Sequence, residues 1–262
     1  MKKALKRSVL AIPLAALLLL ISVSFREPSL SRDWDEDVRV LAGVDISPNE
    51  SVTLTQIRNW TYSLNTITAK SYFDASFDPN DIVAMWMYEQ QLDPSGLIAH
   101  TFVVFEFDER YGPARFLGLS VETRRELGEE YSIIGGALRS FEITHIWATE
   151  EDLVTRRVQF LNYPLTRYRL EIPAEYRSRI FVKFAEETRS LASEPRWYNT
   201  ASNNCTSSLI RYVNESEQDA IPFHYSYVLT GRVDEYLEAL EYKAADSSLR
   251  ITRKFLESNS LR

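Results

Sequence analysis

Alternation of apolar and polar residues predicts a series of β-strands through the middle of the chain. Alternation is typical of a strand with one buried face, and a continuous apolar run is typical of a strand buried on both faces. The second kind of pattern occurs at 82–88. The predicted strands are 52–62, 82–88, 98–107, 115–124, 141–148 and 163–170. The intervening stretch from 63 to 79 is expected to be rich in loops.

Helical spacing of apolar residues becomes prominent in the second half of the chain. A helix is expected to begin at 150–154, and a longer one follows Pro173, where apolar residues recur every third or fourth position and charges lie opposite them. Another helix is predicted from Thr206 to about Glu215, and a short one at 233–242. Strands and helices together indicate an α+β fold in which an antiparallel sheet packs against helices.

Two consecutive predicted strands are joined by a turn at 108–113, which favours a β-hairpin. Polar side chains of the second strand would then lie on one face. This hairpin brings Ser120 and Glu122 within cross-strand reach of His100 or Glu106, depending on the register of the pair.

The length and net charge of the chain indicate how many domains it can form and which partners are excluded. The chain has 262 residues, of which 45% are hydrophobic, and this is enough for one sizeable domain. A net charge of -7 without a dense Lys/Arg cluster argues against a nucleic-acid partner. One cysteine allows no internal disulfide, and no paired spacing typical of a zinc site is present, so neither a metal nor another cofactor is implied.

The N-terminus predicts export. An apolar run from Val9 to Phe25 follows a short basic segment, which is expected to stay in the cytoplasm. Small residues at 22–24 suit signal peptidase, yet the run is also long enough for an uncleaved anchor. The expected location is the inner membrane with a periplasmic domain, or the periplasm if the segment is cleaved.

Four regions follow from these patterns. Residues 1–25 form the signal anchor or signal peptide, and the charged, proline-containing residues 26–50 are expected to be a linker. Residues 51–245 form the periplasmic domain. The polar tail 246–262 is expected to be disordered.

The only cysteine, Cys205, lies where a polar loop turns into a predicted helix. Asn203 or Asn204 can cap that helix, so the thiol would lie at or near its N-terminus. Free N–H groups and the helix dipole there favour the thiolate, which is the nucleophilic form. Because an unpaired cysteine in an exported domain risks oxidation unless it is protected or used, this position is a candidate catalytic site.

A catalytic thiol needs a base and a group that orients the base. His100 is the first candidate for general base and acid, with Ser120 or Glu122 as the orienting group. His224 is the second candidate, and His145 is most simply a core histidine. Glu122 has an equally simple alternative as a partner of neighbouring arginines on a solvated face.

Polar residues around the cysteine are candidates for support of the loop or for an oxyanion pocket. Tyr198, Asn199 and Asn204 are the residues in question. The backbone N–H of Cys205 would complete such a pocket by stabilising developing negative charge.

Five segments in this order resemble the Lnb N-terminal periplasmic domain family over roughly residues 45 to 242. They are Ile57–Tyr62, Ile98–Phe102, Leu119–Glu126, Gly128–Ser132 and Tyr198–Thr206 with its Tyr-Asn and Asn-Cys-Thr motifs. The resemblance implies a circularly permuted papain-like thiol fold, related to lecithin:retinol acyltransferase, in which the histidine strand precedes the cysteine helix.

The resemblance also implies a function. Cys205 would attack an ester of a phospholipid, His100 would move the proton, and the acyl-thioester would pass its acyl chain to an amine such as a lipoprotein N-terminus. One alternative is a thiol hydrolase, an amidase or peptidase, of cell-wall peptides or lipoproteins. Another is a non-catalytic lipid- or protein-binding module in which Cys205 is structural.

Overall fold

The computed structural model describes residues 23, 25–217, 221–245 and 247–261. These residues form a mixed α+β fold in which a sheet packs against helices. The strands are β1 (Gly43–Ile46), β2 (Val52–Arg58), β3 (Thr61–Ser63), β4 (Thr66–Ala69), β5 (Tyr72–Phe77), β6 (Ile82–Gln91), β7 (Ala99–Phe107), β8 (Phe116–Arg124), β9 (Glu142–Thr149), β10 (Leu165–Leu170) and β11 (Leu249–Ile251). The helices are α1 (Glu36–Arg39), α2 (Ile133–Ala137), α3 (Glu150–Thr155), α4 (Ala174–Ser193), α5 (Cys205–Ser216), α6 (Val233–Ala239) and α7 (Arg253–Ser258).

The main sheet has the strand order β1-β2-β9-β8-β7-β6-β10-β11, with β5 also paired to β2. Its described pairs are antiparallel except for the contact of β2 with β9. The predicted strand 52–62 is divided, because β2 ends at Arg58 and β3 pairs with β4 in a separate hairpin. That hairpin and β5 occupy most of the stretch that was expected to be loop.

Apolar side chains cover both faces of the sheet. On one face, α4, α5 and α6 pack over alternate residues of β6, β7 and β8, including Met87, Phe105 and Leu119. On the other face, α3 and the C-terminal residues pack over Phe102 and Val104. Burial on both faces explains why 82–88 and 98–107 are nearly continuous in apolar residues.

Residues 26–50, predicted to be a linker, instead pack on the domain. Trp34 and Val38 are buried, and β1 extends the sheet beyond β2. The Arg32 guanidinium lies 2.9 Å from the Glu142 carboxylate, and the Arg124 guanidinium donates to the Val38 carbonyl. Charged residues between 26 and 50, which are typical of a solvated linker, therefore pair with residues that lie far along the chain.

The tail predicted to be disordered also has structure among residues 247–261. Its strand β11 pairs with β10, and Thr252 caps α7 by accepting from the Phe255 N–H. Ile251, Phe255 and Leu256 join the apolar cluster around α3. Apolar residues spaced through a polar tail are thus sufficient to dock it.

The predicted N-terminal membrane segment lies outside the described residues except for Val23 and Phe25. Among the helices that the structure describes, none combines the length and the apolar character needed to cross a bilayer.

A buried ion pair joins β2 to α3. Both Nε and Nη2 of Arg58 donate to the Asp152 carboxylate, the closest approach being 2.7 Å, and the Trp60 N–H donates to the same group at 2.7 Å. The Asp152 side chain is fully buried. Removal of one member would leave an uncompensated charge in the interior.

We expect Asp152→Ala to lower the free energy of unfolding by about 3–5 kcal/mol, because Arg58 would remain buried without its partner. Urea denaturation of the purified protein measures this change. Glu151→Ala, in the same turn but exposed, is the matched control and should change the stability little. An equal loss in both variants would contradict the assignment.

Candidate active site

A gap opens in the sheet where β8 separates from β7. The two strands pair from Phe102↔Ser120 to Glu106↔Phe116, whereas β8 continues beside β9 as far as Arg124↔Glu142. The first residues of β7 therefore have no β8 partner. The N-terminus of α5 reaches this gap, and Cys205 Sγ lies 3.8 Å from the Ala99 carbonyl oxygen.

Helix α5 begins at Cys205 because Asn204 caps it. The Asn204 Oδ1 accepts from the Ser207 N–H at 2.8 Å, and the Ser207 hydroxyl accepts from the Asn204 N–H at 2.9 Å. Such a reciprocal capping box fixes the first turn. Cys205 occupies the first helical position, where the backbone N–H has no acceptor within the helix and the dipole favours a negative charge.

The Cys205 thiol is buried and polarised. Burial alone would raise its pKa, but the charge of His100, a hydrogen bond with His100 and a hydrogen bond from the Thr101 backbone lower that pKa below its ordinary value. This environment favours the thiolate, the form that attacks carbonyl carbon.

His100 lies across from Ser120 and Glu122, as one of the two predicted hairpin registers requires. Its Nε2 is 2.8 Å from Ser120 Oγ and 3.3 Å from Glu122 Oε1. Burial alone would lower the pKa of His100, but the charges of Glu122 and Cys205 raise it to about 9. The carboxylate and the thiolate together therefore stabilise the imidazolium. Glu106 instead accepts from the Trp86 indole N–H at 2.9 Å.

Arg157 completes this cluster. Its Nη2 lies 2.7 Å from Glu122 Oε1 and 2.9 Å from His100 Nε2. A guanidinium donates hydrogen bonds and cannot accept them. When His100 is protonated, Arg157 Nη2 therefore donates to Glu122. The Nε2–H of His100 then donates to Ser120 or Glu122. Burial tends to raise the pKa of Glu122, but His100 and Arg157 hold it well below the ordinary value.

Arg157 was missed from the sequence, although a signal is present. Leu153, Val154 and Val158 form the buried stripe of α3 and its continuation, and Arg157 falls on the same side. A charge within an apolar stripe indicates a buried partner. The π-helical turn Arg156–Phe160 carries this residue, and π-turns are frequent at functional sites. Glu122 pairs with Arg157 rather than with the neighbouring arginines considered from the sequence.

The other two histidines lie elsewhere. His145 is buried, with Nδ1 2.8 Å from the Thr188 hydroxyl, and burial lowers its pKa to about 3. His224 begins a short 3-10 turn and stacks on Tyr236 with ring centroids 4.0 Å apart. The structure therefore brings His100, and neither of the others, to the thiol.

Tyr198, Asn199 and Asn204, the polar residues around the cysteine, differ in how their side chains are used. Asn199 Oδ1 accepts from the backbone N–H groups of Ala201 and Ser202, and the Asn204 amide donates to two carbonyls, those of Thr200 and Tyr227. Both amides hold the loop. Tyr198 differs because its ring lines the cleft beside Cys205, and burial followed by the Cys205 charge raises its hydroxyl pKa.

Cys205 and His100 share a cleft of about 310 Å³. Its apolar lining includes Leu92, Ile98, Tyr131, Ile133, Leu161, Tyr163 and Val228. Its charged lining includes Asp37, Arg125 and Arg156, in addition to Glu122 and Arg157. Within the described part of the chain, no group of three or more His, Cys, Asp or Glu side chains is placed to hold a metal ion.

Comparison with protein families identifies one match. The sequence fits the Lnb N-terminal periplasmic domain over residues 68–231, more than half of the chain. The chain belongs to this family. Comparisons with curated proteins and with solved structures find no match. His100, Glu122, Arg157 and Cys205 all lie inside the matched range of this Lnb domain, whereas the Ile57–Tyr62 segment lies before it.

We expect alkylation of Cys205 in the folded Lnb domain by iodoacetamide to follow an apparent pKa below the ordinary value of about 8.5, because His100 stabilises the thiolate. His100→Asn should move that pKa upward. His224→Asn is the matched control and should leave the profile unchanged. A thiol that reacts only after denaturation would make Cys205 structural.

We expect Glu122→Gln to lower the pKa of His100, since burial and Arg157 disfavour the imidazolium once the carboxylate charge is gone. Less thiolate would then exist at pH 7, and alkylation there should slow by about tenfold or more. The exposed Glu130→Gln variant controls for a general change in charge. Unchanged alkylation in Glu122→Gln would remove Glu122 from the site.

Proposed function

We propose that this protein is a periplasmic cysteine-dependent acyltransferase. The observation that carries the proposal is the placement of Cys205 at a helix N-terminus beside His100, which lowers the pKa of the thiol, inside a cleft lined in part by apolar side chains. Two further facts support it: the chain belongs to a periplasmic domain family, and its histidine strand precedes its cysteine helix, as a circularly permuted papain-like enzyme requires.

In the first half-reaction, the Cys205 thiolate attacks an ester carbonyl and a carbon–sulfur bond forms. The tetrahedral intermediate collapses as the carbon–oxygen bond to the leaving alcohol breaks. His100 donates its proton to that oxygen, so a neutral alcohol departs and an acyl-thioester remains.

In the second half-reaction, an amine attacks the thioester carbonyl. His100 takes a proton from the amine, the carbon–sulfur bond breaks, and an amide leaves with the acyl group. Cys205 returns to thiolate and His100 to imidazolium. Glu122 keeps the imidazole oriented in both steps, and Arg157 keeps Glu122 in place.

Negative charge on the carbonyl oxygen needs donors during both steps. The Cys205 backbone N–H at the start of α5 is the first candidate. The Tyr198 hydroxyl is the second, since the Asn204 amide nitrogen already donates to the Thr200 and Tyr227 carbonyls and Asn199 does not line the cleft. Tyr198 therefore takes the oxyanion role in this proposal, and the two asparagines support the loop.

The apolar lining of the cleft suits the chain of an acyl donor such as a phospholipid. The amine acceptor would be the N-terminus of a lipoprotein or peptide. The N-terminal apolar run is proposed to hold the domain at the inner membrane. The domain would then lie at the surface of the same membrane that contains its phospholipid donor.

A thiol hydrolase is the second candidate, and the charged residues that line the cleft favour it. Asp37, Arg125 and Arg156 would bind a charged peptide better than a lipid tail. The same Cys205 and His100 would then form an acyl-enzyme that water, rather than an amine, releases.

Incubation of the full chain with a phospholipid of defined acyl composition should add one acyl group to Cys205, detectable by mass spectrometry and removable by hydroxylamine. Addition of an amine-bearing lipopeptide should transfer that group to the amine. Cys205→Ser and His100→Asn should form no adduct, because each lacks one half of the pair.

His145→Gln and His224→Asn are controls for the loss of a histidine. An adduct from a peptide substrate but none from phospholipid would favour the hydrolase. No adduct from either class, in a protein whose thiol alkylates readily, would refute acyl transfer.

A further inference from the structure

The chain from the end of β8 through the first turn of α2 exposes large apolar side chains that the proposed catalytic cluster does not use. We call Leu127, Tyr131, Ile133 and Ile134 the apolar lip. Ile133 is 55% exposed and Ile134 is 72% exposed. A group of exposed apolar residues of this kind marks a surface that contacts another apolar phase.

The apolar lip borders the cleft that contains Cys205. Tyr131 and Ile133 line that cleft, and the Thr200 hydroxyl of the cysteine loop donates to the Ile133 carbonyl at 3.0 Å. A surface or molecule that covers the apolar lip therefore lies beside the cleft that contains the Cys205 thiol.

The residue that follows the N-terminal apolar run contacts the chain just after α2, the helix that carries Ile133 and Ile134. Phe25, at the end of the run, is 82% exposed, and the next residue, Arg26, donates to the carbonyl of Arg139 just after α2. The Ser29 N–H donates to the Glu142 carboxylate at 2.9 Å. The residues that follow the run are largely exposed, but these two hydrogen bonds tie them to the chain just after α2, so the end of the run stays near the lip.

We propose that the apolar lip inserts among the lipids of the membrane that holds the N-terminal run, so that the cleft opens directly onto the bilayer surface. This inference rests on the proposed anchoring and acyl-transfer function. It adds the orientation of the domain and the residues that contact lipid.

The charges around the lip indicate that apolar contact, rather than charge, drives this docking. Arg26 and Arg139 lie near it, but so do Glu129 and Glu130, and the nearby Arg32 is neutralised by Glu126 at 3.2 Å. A surface of mixed sign has little preference for anionic headgroups. Docking should therefore occur on zwitterionic phosphatidylcholine and depend weakly on salt.

Site-specific quenching tests the orientation in the full chain. Cys205→Ser removes the only native cysteine, so that Ile134→Cys or Val83→Cys can carry a single fluorophore. Val83 is also an exposed apolar residue, but it lies at the far end of β6, seven residues and roughly 23 Å from Gln90 at the cleft. Both labelled proteins are reconstituted into phosphatidylcholine vesicles containing lipid with a spin label on its acyl chain.

We expect quenching at position 134 to be at least about threefold stronger than at position 83, because only the lip reaches the acyl region. Equal quenching at the two positions, or none at position 134, would overturn the proposal. Because the measurement uses a Cys205→Ser background, it does not depend on turnover. If position 134 is not quenched but the acyl-enzyme still forms, the membrane orientation is wrong and the proposed function stands. If position 134 is quenched but no acyl-enzyme forms, the orientation stands and the proposed function is wrong.

Discussion

The site depends on the point at which β8 leaves β7. As long as the two strands pair, their backbone groups satisfy each other; beyond Ser120 the pairing ends and polar groups of β7 face an opening. The N-terminus of α5 fills this opening with groups of matching polarity. Cys205 contacts backbone from Ala99 to Thr101, while His100, on the same short segment, faces the polar side of β8. One break in a hairpin thus brings together Cys205 and His100, the proposed nucleophile and base.

Such a cluster of buried charges is costly unless each charge has a partner. Glu122 serves two cations, since it receives Arg157 and faces His100. Arg157 arrives from the end of α3, and the beginning of α3 is held by the Arg58–Asp152 ion pair. The helix is therefore fixed near its start by a structural ion pair, and the π-helical turn that follows it supplies Arg157 to the candidate site. A loss of the ion pair would consequently be expected to disturb the position of Arg157 as well as the stability of the fold.

Local patterns in the sequence were sufficient for much of this arrangement. The hairpin of β7 and β8 and the position of Cys205 at the start of α5 follow from alternation and capping within short segments. The register that places His100, rather than Glu106, beside Ser120 and Glu122 does not. The features that escaped prediction depend on distant partners. Charges at 26–50 pair with residues about a hundred positions later, and Arg157 finds Glu122 only after α3 has packed on the sheet. The spacing of apolar and polar residues within a short segment cannot reveal either of these distant partners.

Close contact between α2 and the cysteine loop links the surface of the domain to its thiol. A Cβ added at Gly136 would collide with the Thr200 hydroxyl and approach the Tyr198 ring to 3.3 Å. The absence of a side chain there lets the helix that carries Ile133 and Ile134 rest directly on the loop that caps α5. Tyr131 and Ile133 of the lip and Tyr198 and Cys205 of the loop line the same cleft. Under the proposed function, a substrate larger than this cleft would lie outside it, against the lip, with only its reacting carbonyl near the thiol.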